Sequence, residues 1–431
     1  GKDESAQRDE LSKAVQALAD CLVEDPDSQQ RVLSAVKAKV SQFEYDCGAI
    51  PFELFQNADD ATVELGQIAV HSRDEQLPPG AQRFVVEVSP DTLRFLHWGR
   101  PVNARGPVEF GGEERGFGRD LEKMLILFES DKEPSKGLTG KFGLGFKSVF
   151  LVCDRPRLLS DRLSLEIVAG ILPESWPNAQ EARDALNRLA EFHRLPGTLI
   201  ELPGVSDRQQ AELLGRFQEL AGVLVVFGQA IRSVEMVGGT NALAEDSLQK
   251  SQAILPRRFT WKPSVICRCV EVEYGQLAVA GEWGTETGAL CVRSEHGALL
   301  MALGPDGFRA LPDRIPTLWV TAPTKEKARL GFALNGRFAI DAGRTKLPGN
   351  DRTNLDLAQN MGAEVGEALS ELFDRSRADW GIVRRQLGLA ADLTRDAFWR
   401  SIWLGLTEQW LGKHRDAVAA LAREFVLALL R

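Results

Sequence analysis

Glu53, Asn57, Asp60 and Glu64 recur in the stretch PFELFQNADDATVEL, residues 51–65, at steps of four, three and four positions. On an α-helix that spacing lines them up as one stripe, with Leu54, Ala58, Ala61 and Leu65 forming an adjoining apolar stripe. Carboxylates and a carboxamide held this way could orient water and share a hydrated cation, while the apolar stripe faces a core. Taken alone, the stripe reads first as a solvated helix face. Its weight comes from two stretches later in the chain.

Both of those stretches have chemical potential. In GKFGLGFKSVF, residues 140–150, Gly143 and Gly145 permit close backbone approach and expose N–H groups, and the apolar run after them can start a helix whose N-terminus favours an anion. Lys147 adds a cation there, against the preference of the helix dipole. In GTLIEL, residues 197–202, an otherwise apolar strand presents the hydroxyl of Thr198. In isolation a tight structural turn is the better reading of the first, and the second is an ordinary strand threonine.

The elements that must position these residues can be read from periodicity. Helices are expected over 8–22 and 28–45, leading into the 51–65 helix. RFVVEV and TLRFLHW, separated by Ser-Pro-Asp, predict a hairpin. Residues 99–119 are rich in glycine and read as a loop, followed by a helix at 119–129. The segment from Asp120 to Gly140, with the polar ESDKEPSKGLTG, is a candidate lid. Strands at 158–168 and 198–202 flank a helix at 178–193. A helix at 207–221 and the apolar run VLVVF complete a first domain, 1–237.

Short strands over 251–375 form a second, strand-rich domain, and 376–431 is a helical segment carrying Trp380, Trp399, Trp403 and Trp410. The fold class is α+β, with the first domain a sandwich of a mostly antiparallel sheet and helices on one face.

Bulk properties narrow the partners. The chain has 431 residues, 44% hydrophobic and 26% charged, with net charge −9. That balance argues against a broad nucleic-acid footprint. No apolar run approaches the roughly 18–20 residues that span a bilayer, so no membrane role and a cytoplasmic location are expected. The six cysteines lack a CxxC pair and read as reduced thiols. Beginning at Gly1 and ending inside a helical pattern, the sequence reads as a piece of a longer chain.

The order of these motifs resembles the GHKL ATPases, whose nucleotide pocket is the Bergerat fold, in the branch of sacsin and the ninety-kilodalton heat-shock chaperone. ELFQNADDA is similar to sacsin's form of the first nucleotide motif, GKFGLGFKSVF to the glycine motif and GTLIEL to the late Gly-Thr strand. The resemblance is strong over about 30–235 and extends weakly to about 375, as a strand-rich α/β middle domain.

It implies ATP and Mg²⁺ as cofactors, with Glu53 as general base, Asn57 as Mg²⁺ ligand, Asp60 on the base through water and Thr198 against the adenine. Phe142, Gly143, Leu144, Gly145 and Phe146 would wrap the phosphates, with Lys147 as added charge. LHWGRPV departs from the chaperone's Asp-x-Gly-x-Gly: His97 takes the Asp position, Gly99 is retained and Pro101 replaces the second glycine. His97 would meet the base or be a packed core histidine, and Trp98 would stack on the ring or fill the core. A cation for the γ-phosphate is sought among Arg337, Arg344 and Lys346, with Arg344 the choice.

The implied function is slow Mg²⁺-dependent ATP hydrolysis coupled to lid closure and domain rearrangement. Its partners are ATP and ADP and a protein client or partner subunit, with a homodimer left open. The alternative is a nucleotide-binding scaffold with little hydrolysis, part of a bacterial defence or quality-control assembly.

Overall fold

In RFVVEV and TLRFLHW one alternating set (Phe84, Val86, Val88, Leu93, Phe95) is apolar up to His97, whereas the other mixes Val85, Leu96 and Trp98 with Arg83, Glu87 and Arg94. In the computed structural model they pair as β1 (Arg83–Ser89) and β2 (Thr92–His97), antiparallel, with Phe84 opposite His97 and Ser89 opposite Thr92. Asp91 closes the turn in left-handed backbone, φ 55°. The structure describes residues 10, 13–14, 16–17, 19–42, 46–71, 77–78, 80–126, 145–191, 196–238, 257–267, 271–278, 287–326, 328–340, 347–348, 351–407 and 417–431.

The chain divides into two compact units. The first holds the described residues up to Leu214 and those within 235–257, and the second holds Gly215–Val234 and the described residues from Arg258 onward. Both contain helices and sheet, so the class is α+β.

In the first unit α1 (Pro26–Gln42) and α2 (Ile50–His71) precede the hairpin. A short helix α3 (Asp120–Leu125) comes after it. Next come β3 (Arg157–Ser160), β4 (Leu163–Val168) and β5 (Leu172–Ser175), then α4 (Gln180–Leu189), β6 (Thr198–Pro203) and the start of α5 (Asp207–Phe227), whose residues from Gly215 onward belong to the second unit. With β7 (Ser233–Gly238) and β8 (Arg257–Thr260), whose residues fall partly in each unit, the sheet order is β5-β4-β3-β6-β2-β1-β7-β8. The run expected as strand over 158–168 is two strands, because Asp161, at φ 48°, turns the chain back on itself.

Helices cover both faces of this sheet, not one. Phe55 of α2 meets Phe84 edge-on at 5.5 Å. Val85, Leu96, Trp98, Leu159 and Leu199 turn the other way and share a core with Ala182 and Ala185 of α4. The apolar run VLVVF continues α5 as helix through Phe227. Its valines are buried all round, so burial on every side, not strand pairing, explains the unbroken apolar run.

The second unit is built on β9 (Ser264–Cys267), β10 (Glu271–Leu277), β11 (Thr287–Arg293), β12 (Gly297–Gly304), β13 (Gly307–Arg309), β14 (Leu318–Val320), β15 (Ala322–Pro323) and β16 (Ala333–Gly336). The order is β15-β14-β16-β12-β11-β10-β9, with β13 on β12. The sheet is mixed, since β14 and β16 run parallel.

The helices α6 (Arg352–Ala378), α7 (Trp380–Gln386), α8 (Arg395–Thr407) and α9 (Ala417–Leu429) share one hydrophobic core with this sheet. Trp380, Trp399 and Trp403 pack in or against that core. On α6, Gly362 and Gly366 lie against the carbonyls of Phe425 and Leu429, where a side chain on either would meet backbone. No helix among the described residues is long and apolar enough to cross a membrane.

Candidate functional site

Helix α2 starts directly after a 3-10 turn at Cys47–Ala49, and Pro51 sits in its first turn, where its missing N–H removes no helical hydrogen bond. The polar stripe it carries is largely withdrawn from solvent. Glu53 is 5% exposed and Asp60 9%, while Asn57 between them is exposed. Thr62 is also buried and donates to the carbonyl of Ala58 at 2.8 Å.

Glu53 and the glycine motif meet. A β-carbon at position 145 would meet the Glu53 carboxylate, which would have to shift to make room. Gly145 leads into a 3-10 turn, Phe146–Leu151, not a full α-helix. Its carbonyl accepts from the Ser148 hydroxyl at 2.6 Å and the Ser148 N–H at 3.2 Å.

Phe146 is buried and packs edge-on against Phe150. Lys147 is fully buried, and its ammonium donates to the carbonyls of Leu125 at 2.7 Å and Gly170 at 2.6 Å. Burial pulls its pKa down to about 8. Its charge thus fastens the end of α3 to the turn after β4. Phe142, Gly143 and Leu144 lie outside the described residues, as do most of the proposed lid, Arg344 and Lys346.

At the other end of the stripe the strand register makes a row. Phe84 stands opposite His97, His97 opposite Thr198, and Thr198 opposite Ser160. Directly paired residues share a face of the sheet, and Phe84 places that face toward α2. The hydroxyls of Ser160 and Thr198 are 2.7 Å apart, and the Val102 N–H donates to Ser160 at 2.9 Å.

His97, 8% exposed, accepts at Nδ1 from the Gly99 N–H at 3.2 Å. Burial, helped by the Arg100 guanidinium, lowers its pKa to about 4, so the ring is neutral. Gly99 presses on α2, since a β-carbon there would lie 2.7 Å from the Thr62 nitrogen. Arg100 N–H donates to the Ala61 carbonyl at 2.8 Å. The strand end is thereby fastened to the helix one residue beyond Asp60.

Trp98 points to the opposite face, into the core under α4, where Gly197 leaves room for its indole. The structure therefore sets it apart from the row. That face also carries a buried charge cluster in which Arg94 donates to Glu201 at 2.8 Å, Glu87 at 3.1 Å and Glu181 at 2.7 Å.

Glu64, the last member of a stripe that taken alone reads as a solvated helix face, is instead paired. Arg100 donates through Nε to Glu64 at 2.8 Å and through both terminal nitrogens to Asp120 at 2.8 and 3.0 Å. Its guanidinium also lies 4.1 Å from the Phe117 ring. Burial raises the Glu64 pKa against the pull of Arg100. This hub, together with Ser160, is what the sequence reasoning missed. Glu64 falls on the polar stripe and Arg100 directly succeeds Gly99, but nothing in their spacing pairs them.

The sequence matches no protein-family model and no curated protein.

Proposed function

We propose that this chain is a nucleotide-binding module of the GHKL type, with a Bergerat-like pocket on the α2 face of the first sheet, that hydrolyses ATP slowly with Mg²⁺. The observation that carries this reading is the contact of the Glu53 carboxylate with Gly145, which joins the candidate general base to the candidate phosphate loop from distant parts of the chain. The row of His97, Thr198 and Ser160, on the sheet face that Phe84 turns toward α2, supports a base-binding end.

The donor set suits the cofactors. Mg²⁺ keeps most of its waters and shares phosphate oxygens, so one carboxamide such as Asn57, exposed on the stripe, is an adequate protein ligand. Bound Mg²⁺ would neutralise phosphate charge. Glu53 would orient and deprotonate the attacking water, and the low exposure of its carboxylate favours that work by excluding competing solvent. Lys147 acts here as a positioning residue that fixes the glycine turn from behind.

The test is Glu53→Ala in the intact chain. ATP affinity should persist while phosphate release stops. Hydrolysis that continues in the variant would remove Glu53 from its role, and a wild-type protein that binds no nucleotide would end the reading. Tight binding without release in the wild type would instead select the scaffold.

A further inference from the structure

His97 has a defined donor and acceptor polarity. A neutral imidazole has one N–H and one bare nitrogen. The bare one is Nδ1, because it accepts from the Gly99 N–H at 3.2 Å. The proton therefore sits on Nε2, at the far side of the ring from the backbone that holds it.

The neighbouring hydroxyl pair also has a proton to spare. Ser160 and Thr198 bring two O–H groups, and Val102 supplies a third donor to Ser160. One of the two hydroxyl protons is used between them, and among the described residues the other meets no acceptor. The row on the α2 face thus presents donors, where a carboxylate at position 97 would present lone pairs.

Resting on the nucleotide-binding reading above, we propose that His97 offers an Nε2–H donor to the base, so that the site reads a purine through an acceptor atom and does not select a 6-amino over a 6-oxo purine. Adenine meets such a donor with N1 and hypoxanthine with O6. A carboxylate at the same place would accept from the adenine amino group and repel O6, because a site that pairs with one polar edge rejects the analogue lacking it. His97 is then a specificity-determining residue.

The experiment compares the affinity of the intact chain for ATP and for inosine triphosphate, each with Mg²⁺, by calorimetry. In the wild type the two should agree within about tenfold, and His97→Asp should shift the ratio toward ATP by at least about tenfold. A wild-type preference for ATP beyond about tenfold, or a ratio unmoved by His97→Asp, overturns the proposal.

The wild-type ratio is informative even if the variant fails to fold. Long-range proton–nitrogen spectra of the five histidines supply a readout free of nucleotide: His97 should show a bare Nδ1, and a protonated Nδ1 overturns the proposal. If neither triphosphate binds, the nucleotide reading itself falls and takes this inference with it. A strong ATP preference leaves that reading standing.

Discussion

The carboxylate of Glu53 occupies the space that a β-carbon on residue 145 would need. Gly145→Ala should therefore displace the carboxylate while leaving the 3-10 turn behind it intact. Since a displacement of roughly 1 Å at a reacting group can cost about a hundredfold in rate, phosphate release should fall by about that factor with ATP affinity within about threefold. Single-turnover kinetics beside calorimetry checks this, and an unchanged rate would mean that the Glu53–Gly145 contact is only packing.

Arg100 is 5% exposed in its side chain and joins two carboxylates, Glu64 and Asp120. Arg100→Ala leaves both without their cation in a poorly solvated place and should lower stability by about 3–5 kcal/mol. Glu64→Gln keeps an oxygen for the Arg100 Nε and should cost only about 1 kcal/mol. Urea unfolding of the two variants measures the gap; equal losses would contradict the hub.

His97 makes stability sensitive to acid. Its folded pKa of about 4 lies below the ordinary 6.5, chiefly through burial and secondly through Arg100. The unfolded chain then binds the proton more readily between those values. The contribution is fully present above about pH 6.5 and is lost as pH falls toward 4, to a limit of about 3 kcal/mol. His97→Gln should lack this loss, so its unfolding free energy relative to wild type should improve between pH 7 and 4. Parallel pH profiles would refute the assignment.

Two glycines in the second unit should respond in opposite directions. Gly362→Val drives a side chain into the Phe425 carbonyl and should cost about 3 kcal/mol by forcing α6 and α9 apart. Gly215→Ala on α5 meets nothing within 4 Å and should gain about 0.5–1 kcal/mol from helix propensity. Chemical denaturation of both variants distinguishes them.

Local signals made much of the first unit legible. Ser-Pro-Asp between two apolar runs gave the hairpin, and the three-four spacing around Pro51 gave α2. The cover on both faces was not legible: helices were expected on one face, and a strand run that mixes Val85 with Arg83 and Glu87 does not say which helices will cover it. The pairing of Glu64 with Arg100 and of Ser160 with Thr198 depends on strand register and on where the loop after Gly99 returns. Such contacts have no short-range signature. Lys147 illustrates the converse: its placement beside glycines suggests phosphate, whereas its ammonium is taken up by two carbonyls that only the fold brings near.

The two-residue turn at Pro90 and Asp91 fixes which side chains of β2 look toward α2. Because a strand alternates its faces residue by residue, lengthening or shortening that turn by one position with β1 held in place would exchange His97 for a neighbour of opposite parity, Leu96 or Trp98. A change of two would restore the parity and displace the row along the strand. The turn lies at the far end of β2 from His97, yet it works as a counting device for the pocket's chemistry, in which odd changes are substitutions of kind and even changes are only shifts of position.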